Sequence, residues 1–190
     1  MFPDRGGSGP WPGARICPSL DFMLTSHELF GFMSSDLAAG IVAFTHETDK
    51  PTYKATLAAV AQARHVRPVF LERQPRTQQH AEIIQSLSRP ALEPAAGALI
   101  RAWLMKKHEA MLVDFLNALE IKNEKGVVDD LPKSMDDAKL KAAVEVLLGK
   151  YPPETVAVYL NVFNEMNEAH WDNLKALLES DARLQLGARA

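Results

Sequence analysis

The sequence predicts an all-α fold: six to seven helices packed around one long central helix at about residues 95–125, with a C-terminal group of short helices. Three observations carry that expectation. Apolar residues recur at spacings of three and four, most plainly at Ile100, Trp103, Leu104, Met111, Leu112, Phe115, Leu116 and Leu119, which is the period of one helix face. Helix-starting signals recur too: Thr25 with Glu28 forms a capping box, and Asp49 precedes Pro51. A strand reading competes only at Val156 to Leu160, where Val156, Tyr159, Leu160 and Phe163 also keep helical spacing.

Residues 1–22 hold Pro3, Gly6, Gly7, Gly9, Pro10, Pro12, Gly13 and Pro18, a composition that sustains no helix and is expected to be a disordered leader. Residues 23–180 are expected to form a single helical domain and residues 181–190 a frayed tail. The first helix carries Leu29, Phe30, Met33, Leu37, Ile41 and Phe44 and is expected to run to about Glu47. The second, from the Asp49 cap to about His65, is rich in alanine, which suits close approach to a neighbouring helix. Pro68, Pro75, Pro90 and Pro94 keep the next helices short: one or two turns over Val69 to Arg73, then Arg76 to Ser88.

The long helix follows, with Gly126 expected to end it in a left-handed residue and Val127 folding back on Ile121. Past a loop from Val127 to Ser134, residues 128–180 form a short-helix subdomain. Its helices start near Ser134 or Met135, at Pro152–Pro153, and at a cap on Asn164 or Asn167.

Composition narrows function by exclusion. The 47% hydrophobic and 24% charged fractions are ordinary for a globular protein. A net charge of −3 argues against general polyanion binding by the whole chain, and one cysteine, Cys17, supplies no disulfide framework. Neither a spanning apolar run nor a signal-peptide core is present, so no membrane partner and a cytoplasmic location are expected.

Motifs exclude more. None of the six histidines has a glutamate three residues before it, as a di-iron bundle requires. His46-Glu47 and His108-Glu109 begin a zinc-protease dipeptide, but Lys50 and Leu112 stand where the second histidine belongs. No metal or other cofactor is expected. There is no Gly-x-Ser-x-Gly elbow, and the glycines of the leader follow no strand. Glu165, Glu168, His170 and Asp172 form the densest ligand-like group, a pattern that helix starts also produce as caps.

Charge is unevenly laid out. Residues 1–49 sum to −4, residues 50–107 to +7 with 10 Lys/Arg against 3 Asp/Glu, and residues 108–190 to −6. Within the long helix, Arg101, Lys106 and Lys107 precede Glu109, Asp114, Glu120 and Glu124, the reverse of what a helix dipole favours. An antiparallel second copy would pair those halves.

The first expectation is therefore a non-enzymatic interaction protein, self-associating as a homodimer through the long helix, with Lys106, Lys107, Asp114 and Glu120 in the contact. The second is a small-ligand or catalytic pocket near His80, His108 and Trp103, because both histidines fall on apolar faces. The third is nucleic-acid or anion binding through the arginine-rich segment 64–107, led by Arg64, Arg67, Arg73 and Arg76. Few aromatics for base stacking stand there.

Overall fold

The computed structural model describes residues 23–166 and 170–187; the leader at 1–22 lies outside them. The described residues form an all-helical fold without strands. Helices α1 (Ser26–Phe32), α2 (Ser35–Thr48) and α3 (Lys50–Ala63) open the chain. The Glu28 carboxylate accepts from the Thr25 N–H at 2.9 Å, as the capping box requires. Asp49 caps α3 through the Thr52 N–H.

The expected single helix to Glu47 is two helices. Met33 is extended and Ser34 caps α2, and the Glu154 carboxylate accepts from both the Ser34 backbone N–H and its hydroxyl. A partner 120 residues away in sequence holds that break open.

Next come α4 (Pro68–Glu72), α5 (Arg76–Leu87), a 3₁₀ turn at Pro90–Leu92, α6 (Glu93–Lys107) and α7 (Glu109–Ala118). The long helix of 95–125 is thus replaced by α6 and α7, broken at His108 (φ −118°, ψ 23°), whose N–H still donates to the Leu104 carbonyl at 3.0 Å. The break removes the dipole paradox. Lys106 and Lys107 close α6 and Glu109 opens α7, the order each helix dipole favours.

Helix α7 ends at Ala118, with Glu120 left-handed at φ 60° and the Ile121 N–H donating to the Leu116 carbonyl. Gly126 has another use than the expected cap. With Lys125 (φ 52°) and Gly126 (φ 82°) both left-handed, Glu124 and Val127 exchange two backbone hydrogen bonds across a two-residue turn. A Cβ at Gly126 would come within 2.8 Å of the Leu112 Cβ.

Helices α8 (Asp137–Lys150), α9 (Pro153–Met166) and α10 (Asp172–Ser180) complete the fold, and the strand alternative at Val156 is a helix. Asn167 lies outside the described residues. Asn164 reaches from α9 to accept the Trp171 N–H at 2.8 Å just ahead of α10. The tail is not frayed where it is described: Leu184 is fully buried, and Arg183 pairs with Asp181 and Glu145.

Packing is organised by α6, which touches α1, α2, α3 and α7. One continuous buried cluster runs from Leu29 to Leu184, so the C-terminal helices share the core. There Phe115, Tyr159, Phe163 and Trp171 stack in a chain of ring contacts 5.2–5.9 Å apart.

Candidate functional site

A polar cleft of about 450 Å³ lies where α2, α3, α4 and α5 meet, lined by His46, Lys50, Tyr53, Lys54, Leu57, Glu72, Gln74, Arg76 and Gln79. Helical spacing explains the placement. Lys50, Tyr53, Lys54 and Leu57 occupy one face of α3, and Arg76, Gln79, His80 and Ile83 one face of α5. In each helix the apolar end of that face enters the core while its polar end stops at the cleft.

The cleft floor is tied by hydrogen bonds. The Tyr53 hydroxyl donates to Gln79 Oε1 at 2.8 Å, and Gln79 Nε2 donates to the Leu71 carbonyl at 2.9 Å, linking α3, α5 and α4. His46 stands edge-on to Tyr53 at 4.6 Å and to His80 at 5.8 Å. Two buried polar atoms here have no hydrogen-bond partner, Gln74 Oε1 and His80 Nε2.

Burial, then the neighbouring His46 and Arg76, holds the His80 imidazole below its ordinary pKa. Burial raises the Tyr53 phenol. Neutral His80 is therefore favoured in the folded state, whereas the unfolded chain takes up that proton near pH ~6.5. His80 contributes stability above that value and loses it as pH falls from there toward the folded-state pKa. His108, lowered by burial and then by Lys107, acts with the same sign. The urea midpoint is expected to drop between pH 7 and pH 5, and His80→Gln to make the drop shallower; an unchanged drop in that variant would remove His80 as its source.

The structure divides the ligand-pocket set of His80, His108 and Trp103. His80 does not line the cleft but packs edge-on to two residues that do, His46 at 5.8 Å and Tyr53 at 6.0 Å, while His108 packs edge-on against buried Trp103 at 4.4 Å where α6 meets α7. Those two residues support the break and do not line the cleft.

The anion-binding set is divided as well. Arg64 is engaged by Glu82, which also accepts from Gln74 at 2.9 Å. Arg76 lines the cleft. Arg67 and Arg73 stand exposed at the two ends of α4, and among the described residues neither they nor Arg76 forms an ion pair.

All four self-association residues have partners within the chain. Lys106 pairs with Asp49 at 2.8 Å, and Lys107 lies over the Phe44 ring. Asp114 receives Lys150 and the Tyr151 hydroxyl, and Glu120 pairs with Lys139. Four of the charges in that order are thus engaged within one copy.

Acidic residues gather elsewhere to a structural end. Glu93, first residue of α6, accepts from the Ser26 and His27 N–H groups at 2.9 and 2.8 Å and so clamps the start of α1. Burial alone would raise it, but the bonds from His27 and Ser26 leave its pKa lowered. Burial, then Glu93 and Glu28, raises Glu165. Glu168 lies outside the described residues, and no group of three metal-ligating side chains forms among those described.

Sequence reasoning missed His46, Lys50, Tyr53, Lys54 and Gln79. The available signal was a pair of lysines four apart on the edge of an apolar helix face, followed by an arginine at the same phase of α5. None of the family models, curated proteins or solved structures compared with this chain matches it. The cleft must speak for itself.

Proposed function

We propose that this chain is a non-enzymatic binding protein whose ligand presents a compact anionic group, a phosphate or carboxylate, to the cleft between α2, α3, α4 and α5. One observation carries the reading. Lys50, Lys54, Arg76 and His46 converge on a cavity that contains a single carboxylate, Glu72. Three cations, Lys50, Lys54 and Arg76, set against one carboxylate in a concave site attract an anion more strongly than the same charges spread over a surface. The Tyr53–Gln79–Leu71 bonds preorganise the floor, which lowers the ordering cost of binding.

Size favours a small ligand over a polynucleotide. The volume of about 450 Å³ falls within the ~300–1,000 Å³ usual for small-molecule sites. A second cleft of about 540 Å³, lined by Leu24, Phe32, Leu178, Leu184 and Leu186, is more apolar, and the Asn161 amide facing it is bonded to Leu24 and Ala157. Among the described residues no helix is long and apolar enough to cross a membrane; a cytoplasmic setting agrees with the reading.

A titration with inorganic phosphate, followed by NMR at low ionic strength, tests it. Saturable shifts are expected for the Tyr53 and Gln79 amides and the His46 and His80 ring protons, weakening as salt is added. Shifts that are absent, or that grow linearly across the whole surface, would sink the proposal.

A further inference from the structure

We infer that the corner formed by α4 and the cleft beside it docks on an anionic phospholipid surface, with a headgroup phosphate in the cleft and Phe70 in the interfacial layer of the bilayer. The inference rests on the anion-binding reading of the cleft and names the source of the anion.

Helix α4 has only five residues and gives the core one leucine, Leu71, which is 2% exposed. Its other side is apolar as well. Phe70 is 60% exposed, and Val66 and Val69 are 39% exposed. Positions 69, 70 and 73 are three and four apart, so Val69, Phe70 and Arg73 share the outward face of α4, and exposed Val66 stands just before its cap. Arg67 and Arg73 flank the phenyl ring from the two ends of the helix, free of ion pairs among the described residues.

The apolar knob and the cationic cleft share an edge. Glu72 and Gln74, which line the cleft, lie within about one helical turn of Val69 and Phe70. Lys50, Lys54 and Arg76 line the same cleft. An exposed aromatic ring on a helix with an arginine at each end, next to a pocket for an anion, matches the two layers of a lipid surface: phosphate above, acyl chain below.

Area and charge favour this occupant over a protein. Three apolar side chains are far from the ~800 Å² per partner of a specific protein interface. At an anionic bilayer each added Lys or Arg raises partitioning roughly fivefold, and Arg67, Arg73, Arg76, Lys50 and Lys54 all lie on this corner. The lack of a spanning helix among the described residues bears only on crossing a membrane, and a peripheral site needs none.

The test is flotation of the full chain with phosphatidylcholine vesicles, with and without phosphatidylserine, in a phosphate-free buffer. Binding is expected only with phosphatidylserine, and millimolar inorganic phosphate is expected to reduce it. Phe70→Asp should lower vesicle binding at least tenfold while its NMR titration with phosphate and its near-UV circular dichroism match the parent. Vesicle binding unaffected by Phe70→Asp, or equal binding to pure phosphatidylcholine, would overturn the inference. Saturable phosphate binding without vesicle binding would overturn it too, leaving a free anion as the ligand of the cleft. Vesicle binding without any phosphate site would overturn the headgroup placement and the anion-binding reading together.

Discussion

Replacing Trp103 with alanine is expected to cost the fold about 3–5 kcal/mol, the range for truncating a large buried aromatic. Trp103 is 2% exposed and among the largest fully buried side chains. It sits in α6, the helix that touches α1, α2, α3 and α7. The truncation would also withdraw the ring on which His108 packs, and with it support for the α6–α7 break. Against a total stability of ~5–15 kcal/mol for a domain, that loss should lower the urea midpoint by on the order of 2 M. Phe70→Ala is the control, since exposed apolar side chains usually matter by less than ~0.5 kcal/mol. Equal midpoints for the two variants would mean that α6 is not the centre of the core.

Reversing the cleft charges with Lys54→Glu and Arg76→Glu is expected to weaken phosphate binding by about 100-fold or more. Each charge-assisted contact contributes on the order of 1.5–3 kcal/mol when it is lost, and reversal adds repulsion. Both side chains are exposed at the cleft rim, so the fold should survive and circular dichroism should match the parent. Arg64→Gln is the comparison within the same basic segment. Arg64 is engaged with Glu82, outside the cleft lining, and its loss should leave phosphate affinity near the parent value. Isothermal titration of the three proteins decides. Parent-like affinity in the double reversal would show that the anion does not bind there.

Much of the fold is legible in the residues one helix at a time. The three–four spacing of Ile100, Trp103, Leu104, Met111 and Phe115 correctly marks an inward face, because burial selects the same side of a helix wherever it packs. Thr25 with Glu28, and Asp49 with Pro51, mark real helix starts because those bonds lie within one turn of chain. The charge asymmetry of residues 50–107 is likewise plain in the sequence, and part of it lines the cleft.

The breaks are a different matter. Helical periodicity continues through Met33–Ser34 and through His108, so the pattern gives one helix where the structure has two. Ser34 is held by Glu154, 120 positions away, whereas His108 packs on Trp103 only one turn or so before it, a contact that apolar spacing alone does not predict. The charge order of residues 101–124 was a true anomaly only for an unbroken helix; with the break it becomes two ordinary dipole pairings. Cleft residues were visible as separate helix faces, from Lys50 to Leu57 and from Arg76 to Ile83. Which faces meet depends on how α2, α3, α4 and α5 bury their apolar sides together. Local propensity and spacing act over one or two turns and can be read from the chain alone. The cleft, the break at Ser34 and most of the ion pairs depend on contacts between residues distant in sequence, up to more than a hundred positions apart, and those only the packed core decides.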